Sequence, residues 1–329
     1  MPIDMHSHWW PKSVVEALRA RSIPPLVERT EDGADLLRIT RGAIRLESDH
    51  SDLDDRLAIM DRNGLDKAVF SMPGAGIDNI SVEEAAPLTR LFNDGIAEAC
   101  GKHAGRFAGF ATLPCDDISA AVEEFERVIT KPGIIGALLP GSRFFSHRAA
   151  APMAPLFEVA QRHRAHMFVH PSPLPEDRSR VPGEDLDNAT QRRATLDNQA
   201  QISSILTTLC LTDFLDPYPD VSVQVPNLGG NIALEIERMD HICLHRTPGS
   251  EPPSKRIQRC YIDCNSFGPR GIELAVAVFG PDRVLLGTDG TTFGSNWSLE
   301  AVAKARIDET AREAILHKNA IAVLTASQS

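Results

Sequence analysis

The chain has 329 residues, 42% hydrophobic and 24% charged, enough apolar material to bury a large core. A formal net charge of −11 argues against a broad phosphate-binding footprint, which relies on clustered Lys and Arg, so no nucleic-acid partner is expected. No run reaches the roughly 18–20 apolar residues of a membrane span. The opening MPIDMHSHWW has neither a basic n-region nor an apolar h-region, so a cytoplasmic protein with no membrane partner is the expectation.

Taken in chain order, short apolar runs alternate with helical patterns. Ile3–His8 reads as strand 1, and residues 19–50 follow with no clear helix. Asp52–Asn63 (DLDDRLAIMDRN) reads as a helix stopped by Gly64, and leads to a strand at Lys67–Pro73. A helical stretch within Val82–His103 precedes the strand Phe107–Pro114, and the helix Ile118–Ile129 precedes the strand Ile134–Pro140. Helix Met153–Arg164 leads to strand His166–Pro171, the fifth, which is followed by a Pro-, Arg- and Asp-rich segment over 171–200. Strands Val221–Asn227, Cys260–Asn265 and Val284–Asp289 complete the series, with a helix at Gly271–Phe279. Near-continuous apolar strands suit a parallel sheet covered on both faces. Eight strand–helix alternations favour an α/β fold of the (β/α)8 TIM-barrel type over an open doubly wound sheet. The barrel is expected to be distorted, with long loops after strands 1 and 5, and to form a single domain over 1–329.

Polar residues mark the strand ends. Asp4, His6 and His8 alternate along strand 1, and strict alternation turns all three to one face, where two imidazoles can grip one ion. A pair of ordinary N-terminal histidines is the alternative. His170 closes strand 5 and Asp289 closes strand 8, at the end of the barrel where active sites are built. Either alone also serves as a turn or capping residue.

With H-x-H after strand 1, His-Pro after strand 5 and Gly-Thr-Asp after strand 8, the chain resembles the amidohydrolase superfamily. The branch it resembles holds aminocarboxymuconate-semialdehyde decarboxylase and related non-oxidative aromatic-acid decarboxylases. RLAIMDRNGLDKAVFS, RFAGFATLP, GIIGALLPG and DRVLLGTD add to the likeness, which spans roughly residues 2–325. The resemblance implies one divalent metal ion, Zn or Mn, with His6, His8, His170 and Asp289 as ligands. It leaves the role of Asp4 open, and implies a homodimer. At strand 6 the chain departs from the pattern: the branch usually carries a histidine where this sequence has Asn227. An amide does not exchange a proton near neutral pH, but it can donate a hydrogen bond to an oxyanion.

Other candidates carry two readings each. His241 and His245 share a helical face, without the Glu of a zinc-protease motif. They are either structural or, for His241, catalytic. Arg38, Arg41 and Arg45 in the first loop, and Arg178, Arg180, Arg192 and Arg193 in the fifth, either bind a substrate carboxylate or are simply solvated. Trp9 either walls the pocket or packs in the core. Gly229 and Gly230 make a turn, and six scattered cysteines without a C-x-x-C pair read as free thiols. The expected function is metal-dependent decarboxylation of a small aromatic or unsaturated carboxylic acid, with Asp289 carrying the proton. The alternative is hydrolysis of an amide, lactone or C–C bond, with Asp289 as the base toward a water activated by the ion.

Overall fold

A buried H-x-H strand can serve as a site only if seven further strands come round to meet it. The computed structural model describes residues 1–39, 42–72, 77, 80–172 and 192–327 of the chain. Its main sheet has eight parallel strands: β1 (Ile3–His8), β5 (Lys67–Ser71), β6 (Phe107–Thr112), β7 (Ile134–Pro140), β8 (His166–His170), β9 (Ser222–Val225), β10 (Tyr261–Asp263) and β11 (Val284–Leu285). They are ordered as they occur in the chain, and the Met5 N–H donates to Leu286 O at 2.8 Å, returning the last strand to the first. This is a (β/α)8 barrel, and every strand expected from the sequence is present.

The helices between strands start where short polar side chains can cap them. Asp52 accepts from the N–H groups of Asp54 and Asp55 at 3.0 and 3.2 Å, opening the helix Leu53–Arg62. Asp117 accepts from Ala120 N at 3.0 Å and does the same for Ile118–Val128. Between helices and strands lies the larger apolar cluster, including Phe70, Phe92 and Phe125. A smaller one, with Met5, Val69, Phe110, Leu138 and Phe168, fills the barrel and is joined by Val323 and Leu324 of the C-terminal helix. Each large side chain so buried contributes roughly 1.5–3 kcal/mol.

Two differences from the sequence expectations matter. The segment after β1 is structured: it holds the helix Lys12–Arg19 and a small antiparallel sheet of β2 (Leu26–Arg29), β3 (Asp35–Ile39) and β4 (Gly42–Leu46). Val27, Leu37 and Leu46 bury one face of that sheet on the main core. In addition, the β1–β5 register shifts between Asp4 and Ser7. Such a bulge breaks strict alternation. Ile3 and Met5 join the inner cluster, and Asp4 is not aligned with the two histidines by simple period-two geometry. Among the described residues, no helix is long and apolar enough to cross a membrane.

Candidate metal centre

Two strands deliver the three histidines. His6 and His8 come from β1 and His170 from the end of β8, and their ring centroids form a near-equilateral triangle of 5.1, 5.2 and 5.2 Å. One ring nitrogen from each lies within 4.8 Å of the other two. Each Nδ1 is already engaged: His6 with Asp263 Oδ2 at 3.0 Å, His8 with Ser71 Oγ at 2.9 Å and His170 with Pro171 O at 2.8 Å. Partners on Nδ1 leave Nε2 as the ligand atom, the arrangement by which outer hydrogen bonds orient metal-binding histidines. Among the described residues, the Nε2 of His6 is buried with no hydrogen-bond partner, the kind of orphaned nitrogen that a bound cation satisfies. The donor set therefore fits one divalent ion.

Asp289 joins the group through its Oδ1, 3.5 Å from His8 Nε2. Its backbone is left-handed (φ 47°), a conformation that Asp tolerates better than most residues, and its N–H donates to His6 O at 2.7 Å. Asp4 supplies the clamp. Its Oδ1 accepts from the N–H groups of His6 (3.1 Å) and Thr288 (2.9 Å), and its Oδ2 accepts from the Thr288 hydroxyl (2.6 Å). Asp4 thus ties β1 to the Gly-Thr-Asp turn. Burial lifts its carboxyl to about 6, although Thr288 and His6 pull the other way.

Electrostatically the three imidazoles divide the work. Burial opposes charge on His6, yet Asp263, with Asp289 and Asp4 nearby, raises it to about 9. Burial, then the charge on His6, pushes His170 down to about 3, and His8 likewise falls well below its ordinary value. Burial works against the Asp263 carboxylate too, but His6 and a bond from Gln224 hold it below the usual range.

Asp263 and Asn265, two apart in CYIDCN, were not singled out from sequence, although their spacing at a strand end was a usable signal. Asn265 Nδ2 lies 2.7 Å from Asn227 Oδ1 and 2.9 Å from His6 Nδ1, so Asn227 is linked to His6 through Asn265. With its Oδ1 taken, the group that Asn227 can offer a ligand is its Nδ2 donor. Among the described residues, an arginine that contacts a metal ligand comes from a helix and not from a loop. Arg56 is buried, donates to His8 O at 3.2 Å, and pairs with Asp49 at 3.2 Å. Gly287 has no room for a side chain: a Cβ there would sit 2.9 Å from the Cβ atoms of both Asp263 and His6. Gly287→Ala is expected to cost about 1–3 kcal/mol by overpacking, read from denaturant unfolding of the metal-free protein.

The remaining candidates lie elsewhere. Trp9 packs in the core, stacked on Phe70 at 5.5 Å, and it is Trp10 whose ring approaches His8, at 6.5 Å. Arg38 pairs with Glu28 at 2.7 Å and Arg45 with Asp32 at 2.8 Å, both half-exposed on the small sheet. These acids, not the histidine cluster, hold the two guanidinium groups. His241 is exposed and packs on His245, with centroids 4.4 Å apart. Arg192 lies 3.6 Å from Asp197. Arg41, Arg178, Arg180 and the side chain of Arg193 lie outside the described residues. Cys100, Cys210, Cys243, Cys260 and Cys264 are free thiols.

The amidohydrolase family model matches residues 3–325. A gamma-resorcylate decarboxylase of Polaromonas sp. (strain JS666) is 28% identical over 256 residues, 72% of this chain and 76% of that protein. The apo structure of Metarhizium anisopliae IDCase superposes with a TM-score of 0.81 at 20% identity, over 99% of this chain and 97% of its own. A dihydroxybenzoic acid decarboxylase from Polaromonas sp. JS666, crystallised with manganese and the inhibitor 2-nitroresorcinol, gives 0.75 at 20% identity, over 100% and 98%. At such identities the solved structures speak for the fold.

Proposed function

Because this chain belongs to the amidohydrolase family, we propose that it is a metal-dependent, non-oxidative decarboxylase of a small aromatic or unsaturated carboxylic acid. The observation that carries the metal-dependent reading is the convergence of His6, His8 and His170 with every Nδ1 engaged. Decarboxylation is favoured over hydrolysis by the decarboxylases among its relatives, including the one crystallised with manganese. His6, His8, His170 and Asp289 would hold one ion, Zn or Mn, which both imidazole and carboxylate donors accommodate. When bound, the ion supplies positive charge that attracts the substrate carboxylate and a neighbouring oxygen.

The chain's own residues do the rest. Asp289 delivers a proton to the carbon that bears the carboxylate. The C–C bond to the carboxylate then breaks, carbon dioxide leaves, and the electron pair of that bond returns to the unsaturated system. Asn227 donates from Nδ2 to the substrate oxygen on which negative charge is greatest. Asn227→Ala is therefore expected to lower kcat by about 10²-fold, measured as carbon dioxide release at saturating substrate. Arg41, Arg192 and Arg193 are the guanidinium groups we assign to a further acidic group on the substrate.

We also assign the chain to the cytoplasm, as one barrel domain that pairs into a homodimer. Leu234, Leu244, Leu274 and Trp297, exposed on outer helices, support the pairing. The functional assay is direct. Protein purified with Zn or Mn is incubated with a panel of hydroxybenzoates and related acids, and carbon dioxide is measured. Release from a member of the panel is expected. Silence across the panel, with turnover of amides or lactones, would replace this reading with the hydrolytic one.

A further inference from the structure

Behind the three histidines, a line of polar side chains runs through the inside of the barrel among Phe110, Phe168 and Tyr261. His166, Gln224 and Asp263 are each 0% exposed and His6 is 1% exposed. His166 Nδ1 lies 2.7 Å from Ser222 Oγ, and its Nε2 lies 3.2 Å from Gln224 Oε1. Gln224 Nε2 donates to Asp263 Oδ2 at 2.7 Å and to Met5 O at 3.3 Å. Asp263 Oδ2, in turn, is 3.0 Å from His6 Nδ1.

Each link fixes the next. Both acceptors facing the Gln224 amide nitrogen are oxygens, so its two hydrogens are committed and its own oxygen needs a donor. His166 provides one as its Nε2–H tautomer, with Nδ1 accepting from the Ser222 hydroxyl. Burial holds this imidazole neutral, down to about 4, against the opposing pull of the Gln224 bond. A flipped Gln224 amide would set its carbonyl oxygen against a carboxylate and a carbonyl while leaving His166 without an acceptor. In an apolar barrel such groups are costly unless every partner is made, and these are made. Packing alone would be served by the apolar side chains found at neighbouring inward positions.

We propose that Gln224, oriented by His166, is a positioning residue of the metal centre: it holds the Asp263 carboxylate where it accepts a hydrogen bond from the Nδ1–H of His6, which keeps His6 Nε2 directed at the ion. The inference rests on the metal-dependent reading above. It is distinct from the ligand set, because Gln224 acts only through Asp263.

The test uses full-length protein stripped of metal, titrated with manganese(II) chloride by calorimetry. Gln224→Met keeps the volume and removes the amide. It is expected to weaken manganese binding about 10–100-fold, as losing an outer-sphere partner does. His166→Leu removes the donor to Gln224 Oε1 and loosens the amide, and is expected to weaken binding in the same direction by a smaller factor. The visible spectrum of the cobalt(II)-loaded protein should shift in both variants, a change that loss of stability alone would not produce. If Gln224→Met does not fold, His166→Leu carries the same readings. Wild-type protein that binds no manganese would overturn the metal-dependent reading itself. Wild-type binding matched by equal affinity and an unchanged cobalt spectrum in the folded variants would overturn this inference alone.

Discussion

Asp289→Asn is expected to cut carbon dioxide release by about 10²–10⁴-fold, the range of a positioned acid or base, while leaving the barrel folded. Residue 289 is left-handed at φ 47°, and Asn accepts that conformation as readily as Asp. The N–H bond to His6 O at 2.7 Å belongs to the main chain and survives the substitution. The clamp on the preceding turn is made by Asp4 and Thr288 and is untouched. The loss is therefore confined to one carboxylate, with its negative charge, its exchangeable proton and its place among the proposed ligands, beside His8 at 3.5 Å. Thermal unfolding of the metal-free variant should match wild type within a few degrees. Full activity in Asp289→Asn would remove this residue from proton transfer in either reaction, decarboxylation or hydrolysis.

Manganese affinity is expected to fall steeply with acid. In the metal-free protein, Asp263 raises His6 to about 9 despite burial, so at neutral pH this imidazole carries a proton that an incoming ion must displace. His8 and His170 are neutral there and present no such barrier. Binding should then release about one proton at pH 7 and weaken about tenfold for each unit of pH below about 9. Between pH 8 and pH 6 that amounts to about 100-fold, measurable by titration calorimetry in buffers of different ionisation enthalpy. The same proton affects folding. Since the folded value lies above the ordinary 6.5, the stability it contributes to the metal-free protein is complete below 6.5 and is lost as pH rises through about 9. An affinity flat between pH 6 and 8 would show that the His6–Asp263 pair does not hold this proton.

The fold was readable from sequence because β-branched and apolar runs such as IIGALLP and HMFVHP have few other uses, and because helices of ordinary length separate them. What was missed has a local cause. Strands β2 to β4 are four or five residues long and carry Arg29, Arg38 and Arg45 among their apolar residues, so no apolar run announces them. The Asp32-Gly33 pair, with Gly33 at φ 82°, was the turn signal to heed. Similarly, His6, His8, His170 and Asp289 stood out because a polar residue ends an apolar strand. Asp263 and Gln224 did not: Asp263 closes a strand of only three residues and Gln224 lies inside one of four, too short to show whether a polar residue faces a barrel interior or a turn. The β1 bulge is invisible to a period-two argument, and for that reason Asp4 was grouped with the histidines when its carboxylate serves Thr288. His241 shows another limit: a shared helical face says which residues are neighbours, not whether that face turns to solvent, as it does here.

The most direct measurement of the central claim follows the fate of the carboxyl carbon and of the position it leaves. Manganese-loaded wild-type protein is given hydroxybenzoates labelled with carbon-13 at the carboxylate, in deuterated water. The account predicts one labelled carbon dioxide per product and one deuterium at the vacated carbon, with neither produced by the metal-free protein. Labelled acids returned intact, while the same preparation cleaves an amide or a lactone, would contradict it.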